Sequence, residues 1–284
     1  LNLMKSLIIL LSLCFCFTGN AIENKKYYLL NPSEQFNNST QDSLLFDIQD
    51  KINTTFIKSL TTHNNDSFSE LNAQLERLYE TKKQNLILYW RSYLYYYSSI
   101  YYLKQKDKEK AEKEIDKGIH LLEQIQNKNS EDYALLSLMQ SFAIQFKGAK
   151  AMFISKNVKK NARKAIALDS TNLRAYFAYG SNDFYTPERY GGGRDVESFL
   201  QKAISLPSQK TKNEYLPSWG KKEAYQILIK FFIRNEKWEF AKDYSQKGIV
   251  AFPKDYSLRQ LASELAGKSI RLFFHYTFYF SLLH

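Results

Sequence analysis

The chain has 284 residues, 44% of them hydrophobic and 24% charged, with 21 Tyr and 20 Phe. That apolar content excludes a disordered chain. Only 10 Gly and 5 Pro exclude collagen-like and linker-like classes and disfavour hairpin-rich folds. A net charge of +11 admits an acidic partner, an anionic membrane surface, nucleic acid or simply a Lys-rich solvated face. Lys far outnumbers Arg, and Asn and Tyr are abundant, so compositional bias accounts for part of that charge.

Residues 4–21 read MKSLIILLSLCFCFTGNA. Met4 is read as the start, Lys5 as the positive n-region and Leu7 to Phe17 as the apolar h-region, with Gly19 and Ala21 as the small residues of a cleavage site after Ala21. The stretch is shorter than the roughly 20 residues of a spanning helix. A cleavable signal peptide is therefore expected, and with it a periplasmic or secreted protein without a transmembrane span. Cys14 and Cys16 follow Leu13 and Phe15, where a lipoprotein signal needs a small residue, so lipidation is not expected. Export of a mature chain lacking cysteine leaves no thiol chemistry and weighs against nucleic acid.

Residues 22–40 are polar, rich in Asn and carry Pro32; they read as a linker. From Asp42 the apolar residues Leu44, Leu45, Ile48, Ile52, Phe56 and Leu60 fall at helical spacing. Further helices are expected over Ser67 to Tyr79, Asn85 to Leu103, Asp107 to Ile125, Ser130 to Phe146 and Ala151 to Leu168. Others follow over Asn172 to Tyr185, Asp195 to Leu206, Trp219 to Arg234 and Trp238 to Phe252. Asp107 and Ser130 stand at cap positions, with acidic residues in the first turns.

Helices this short, joined by polar turns, invite a search for a period. One pattern of large and small positions recurs as Tyr225, Leu228, Ile229, Phe232, Ala241, Ser245, Gly248, Pro253. It recurs as Tyr176, Tyr179, Gly180, Val196, Leu200, Ala203, and as Tyr95, Ser98, Ser99, Tyr102, Ala111, Ile115, Gly118. Half of it is present at Ala162 and Ala165, followed by ALDSTN. The small positions let paired helices approach, and the large ones fill the space between pairs. The pattern resembles the tetratricopeptide repeat, a helix–turn–helix unit of about 34 residues. More narrowly, NARKAIALDSTNLRAYFAYGSNDFYTPERYGGG and LPSWGKKEAYQILIKFF resemble the exported tetratricopeptide-like proteins of Bacteroidetes. In that family an aromatic residue and three glycines separate the helices of one repeat, here Tyr190 to Gly193, and Trp-Gly opens the next, here Trp219-Gly220. The resemblance implies an all-α, right-handed superhelix and an envelope location, and no defined activity. The expected organisation is a signal peptide (1–21), a linker (22–40), a helical pair (41–83), repeats (84–253), a final helix (254–270) and an irregular aromatic tail (271–284).

Three features carry functional expectations. The segment 89–103, YWRSYLYYYSSIYYL, has tyrosines on every face. Tyr95 and Tyr102 match repeat-core positions, whereas Tyr93, Tyr97 and Tyr101, at steps of four, are expected to form an exposed stripe in a concave groove, with Tyr96 about 100° off it. Packing against the N-terminal helices and sugar stacking are the other readings of these rings. The loop TPERYGGG places Gly191, Gly192 and Gly193 before a helix, flanked by Arg189, Tyr190 and Arg194. It reads as a shaped turn, a partner contact, or an anion site built from free amides and guanidinium groups. The basic run 156–164, KNVKKNARK, reads as a solvated helix face or a contact for an acidic partner or lipid.

His63, His120, His275 and His284 lack metal-ligand spacing, and no nucleophile motif occurs. No catalytic residue, metal or cofactor is therefore expected. The tail SIRLFFHYTFYFSLLH departs from the repeat pattern, and reads as an extended or membrane-surface segment or as a frameshifted end. The function expected is binding of a protein or peptide partner in the bacterial envelope. The alternative is a receptor-like protein that captures a small anionic or aromatic ligand for a transporter.

Overall fold

The computed structural model describes residues 42–148 and 151–266. The signal segment 1–21, the linker 22–40 and the tail 271–284 lie outside the described residues. The chain divides into two compact units, Leu1–Phe46 and Asp47–His284. In the first, Asp42–Leu45 form one helical turn.

The second unit is built from helices α1 (Ile48–Thr62), α2 (Asp66–Lys82), α3 (Asn85–Lys104), α4 (Lys108–Gln124), α5 (Ser130–Ala143) and α6 (Ala151–Leu168). There follow α7 (Leu173–Tyr185), α8 (Val196–Ser205), α9 (Lys221–Arg234), α10 (Trp238–Ala251) and α11 (256–266). Every described element is helical, with two short 3-10 turns, Ile144–Phe146 and Glu188–Tyr190. Helix α1 begins at Ile48 rather than Asp42 because Asp47 takes a left-handed φ of 51°.

The local signals work as the chemistry dictates. In α4 the buried residues Ala111, Ile115, Gly118 and Leu122 share one stripe. The Asp107 side chain accepts from the Lys110 N–H at 3.0 Å. The cap of α5 is Asn129 rather than Ser130: Asn129 Oδ1 accepts from the Asp132 N–H, and the Asp132 carboxylate accepts in return from the Asn129 N–H. Ser130 is thereby free to donate to the Ala165 carbonyl at 2.8 Å, while Asn172 Nδ2 donates to Ser130 Oγ. That buried chain of bonds ties three helices at one point.

The first helices of successive pairs, α3, α5, α7 and α9, pack in file, and each holds its own second helix, α4, α6, α8 or α10, on the other side. Helices α1 and α2 pack on α3. Ala111, Ala165, Ala203 and Ala241 are fully buried. A Cβ on Gly180 would stand 2.8 Å from Leu200 Cδ2, so α7 and α8 touch there with no room for a side chain. This is an α-solenoid of helix–turn–helix repeats.

Candidate functional site

Along α3 each residue advances about 100°. Tyr89, Tyr93, Tyr96 and Tyr97 consequently share one half of the helix, facing α5, α1 and the segment before α9. Tyr95, Ser98 and Tyr102 share the opposite half. The expected exposed stripe does not exist in the free protein. Tyr93 is 2% exposed and Tyr101 4%, and Tyr97 is half-buried. Steps of four drift by about 40° each, which carries Tyr101 away from Tyr93 and onto Phe68 of α2. Tyr97 packs edge-on against Phe56 of α1 and Tyr93, and Tyr93 stacks on Trp219. Helix α1 and the connector 206–220 therefore cover the place where that stripe was expected.

Tyr96, half-buried like Tyr97, meets Phe142 of α5 edge-on at 5.3 Å. Phe142 in turn meets Phe146, and the Tyr185 ring on α7 is 64% exposed. Burial pushes the Tyr93 and Tyr96 phenols well above their usual range and Tyr97 to about 12, with the Glu223 carboxylate reinforcing each shift. These phenols stay neutral at any physiological pH. Tyr96, Tyr97 and Phe142 thus form a partly covered aromatic patch across α3 and α5, and α7 carries the exposed ring of Tyr185.

The connector 206–220 is placed by long-range contacts that periodicity does not announce. Arg174, 5% exposed, is held by Glu131 through two hydrogen bonds and donates to the Ser208 and Trp219 carbonyls. Gln49 of α1 accepts from the Ser218 and Trp219 N–H groups, and Trp219 Nε1 donates to Tyr89 Oη at 2.9 Å. Trp90 Nε1 donates to the Tyr215 carbonyl. Gly220 has φ 104°, and a Cβ there would press on Leu173 and Arg174, which explains the glycine after Trp219.

The glycine loop is a shaped turn. The Gly191, Gly192 and Gly193 N–H groups donate to the Glu188, Pro187 and Asp183 carbonyls, so the amides expected to be free for an anion are taken. Gly191 and Gly193 take φ of 81° and 85°, and a Cβ on Gly192 would strike the Thr186 carbonyl. The Asp195 N–H is met by the buried Asp183 carboxylate at 2.8 Å, an anion supplied by the chain itself. Arg189 lies over the exposed ring of Tyr190. Arg194 precedes α8 beside this closed turn.

In the basic run, Lys159 approaches Asp183 and Arg163 donates to Tyr179 Oη, so part of it serves packing. Among the described residues no group of three His, Cys, Asp or Glu is placed to hold a metal ion, and no helix is long and apolar enough to cross a membrane.

No protein-family model matches the sequence, and no curated protein matches it. Among solved structures, the chain is similar to a thermophilic tetratricopeptide-repeat protein of Thermus thermophilus, with 13% identity and a TM-score of 0.50 over 76% of this chain and 98% of that one. It also matches the HusA haemophore from Porphyromonas gingivalis, with 21% identity and a TM-score of 0.46 over 64% of this chain and 92% of that one. The first likeness is one of architecture: the fold is a tetratricopeptide-like α-solenoid.

Proposed function

We propose that the chain is a non-enzymatic scaffold that binds a protein or peptide partner at an aromatic surface comprising Tyr96, Tyr97, Phe142 and Tyr185. The observation that supports this reading is the edge-on contact of Tyr96 with Phe142 across two successive first helices, with the exposed ring of Tyr185 on the next. Aromatic rings that keep an accessible edge while their hydroxyls are desolvated make strong anchors for a partner side chain. Tyr185 is the ring best suited to this: it is 64% exposed and little committed to the core. The same reading places the protein in the bacterial envelope, supported by the signal-like pattern of residues 4–21.

Photo-crosslinking tests the binding surface. A benzoylphenylalanine replacing Phe142 or Tyr185 should capture one predominant polypeptide in envelope preparations. The same probe at Tyr256, an exposed ring on α11, should not. Tyr185→Ala should abolish capture from position 142 and leave the melting curve unchanged. Equal capture from Tyr256, or capture unaffected by Tyr185→Ala, would remove this aromatic surface as the working one. Retention of a small molecule at position 142 in place of a polypeptide would favour the ligand-capture alternative.

A further inference from the structure

On the opposite half of α3 from the aromatic patch, a cleft of about 330 Å³ opens between α2, α3 and α4. Its origin is legible by comparing the repeats within the chain. Ser99 Oγ donates to the Ala111 carbonyl of α4, and Ser137 Oγ donates likewise to the Val158 carbonyl of α6. Those two bonds fix the register of the first two pairs and the repeat pattern extends it to the others, so that Ser98, Leu136, Tyr179 and Leu228 occupy one position of the first helix. Glu114, Asn161, Phe199 and Tyr244 occupy one position of the second. In the third pair this space is closed by Tyr179 stacked on Phe199 at 4.0 Å. In the fourth, Leu228 is fully buried and Tyr244 packs on Phe232. Only in the α3–α4 pair do a Ser and a Glu stand there, joined by a 2.8 Å hydrogen bond.

The polar groups around the space are neutral in sum. Glu114 is paired with Lys117, and Arg91, beside the cleft, with Glu76. What remains is a mixed set of neutral donors and acceptors. Asn65 is the N-cap residue of α2 and yet makes no side-chain cap bond. Its side-chain amide instead donates to Tyr102 Oη at 2.6 Å, which leaves the Tyr102 hydrogen and the Asn65 side-chain Oδ1 to face the cleft. Asn72 Oδ1 accepts from Arg91 Nε, which aims the Asn72 NH₂ group. Ser69 stands at the rim, Phe68 and Leu94 lie almost fully covered beneath, and Lys117 lies over the Tyr95 ring at 5.7 Å.

We infer that this cleft binds a small neutral polyhydroxylated molecule, a mono- or disaccharide. Neighbouring neutral donors and acceptors suit vicinal hydroxyls. Paired internal charges disfavour an ion. The volume lies at the lower end of what ligand pockets require, about 300–1,000 Å³. The inference does not rest on the aromatic surface or on its partner.

The test is titration of the full chain with D-glucose, N-acetyl-D-glucosamine and maltose, followed by calorimetry and by the Asn side-chain NH₂ resonances. Glycine and succinate serve as charged comparators. At least one saccharide should bind saturably and shift the Asn65 and Asn72 amide signals. Asn72→Ala should weaken it by about tenfold or more. Ser98→Leu introduces the residue that two of the other repeats carry there and should abolish binding with circular dichroism unchanged. If Ser98→Leu does not fold, Asn72→Ala, at a half-exposed site, carries the same discrimination. Failure of all three saccharides to bind overturns the inference. So does undiminished binding in Asn72→Ala or in a folded Ser98→Leu, or binding of glycine or succinate alone.

Discussion

Asp132 is 3% exposed, and burial lifts its carboxyl from 3.8 to about 6, against the pull of the Asn129 hydrogen bond and Lys128 and with Glu131 assisting. The folded state thus binds this proton more tightly than the unfolded chain does. Its contribution to stability is fully present below about pH 4 and is lost as the pH rises through about 6. A shift of about two units corresponds to at most ~3 kcal/mol. Asp132→Asn keeps a carbonyl for the Asn129 N–H and carries no charge. It should flatten the dependence of Tm on pH between about 4 and 6 and raise Tm at neutral pH; an unaltered pH profile would mean that Asp132 does not titrate there. Gly180 is the second residue whose environment sets a clear outcome. Leucine at that position would collide with Leu200 and Phe199, and overpacking of this kind costs about 1–3 kcal/mol or more. Gly180→Leu should lower Tm, as should Ala241→Leu at a fully buried position. Wild-type melting in both would show that the repeat register is misassigned.

At the scale of elements, the helices themselves were legible, because apolar spacing and caps are local properties of the chain. The expected Asn85 to Leu103 helix differs from α3 only at its last residue, and the expected α7 and α9 differ by a residue or two at their starts. What α3 does with its faces was not legible. A helix bearing aromatic rings all round gives no preference among faces, and the choice was made by α1, α2 and the connector packing onto it. The connector shows the same limit. Its Trp-Gly pair stands out in the sequence, but nothing local says that Arg174 and Gln49 will hold it. Arg174→Met should leave Glu131 unpaired beside a half-covered surface and release two connector carbonyls. Glu131 is partly solvated, so the cost should fall below the ~3–5 kcal/mol of a fully buried pair. Tm should fall, and hydrogen exchange should accelerate across 208–220 more than in α9 or α10. Uniform acceleration across the chain would assign Arg174 a general packing role instead.

On the scale of the whole second unit, those same contacts change how a repeat array behaves. A linear solenoid couples each repeat only to its neighbours and can unfold from either end. Here Gln49 of α1 is hydrogen-bonded to Ser218 and Trp219, 169 and 170 residues later, and Asp47 N–H donates to the Glu214 carbonyl. Unfolding of the wild type should therefore be a single calorimetric transition, with van't Hoff and calorimetric enthalpies in agreement. Trp219→Ala removes the stack on Tyr93 and the bond to Tyr89, and should split or broaden that transition. A wild-type endotherm already in two steps would show that the first helix is not coupled to the later repeats. The sequence by itself determined the helical class, the repeat period and the small positions Ala111, Gly118, Gly180, Ala203 and Ala241, because each follows from neighbours within a few turns. Only the tertiary structure decided which tyrosines are covered and which keep an edge in solvent, that the glycine loop spends its amides on its own carbonyls, and that a Ser in place of a large residue opens a cleft. Each of those outcomes depends on atoms brought together from distant parts of the chain, where the period of a single helix carries no information.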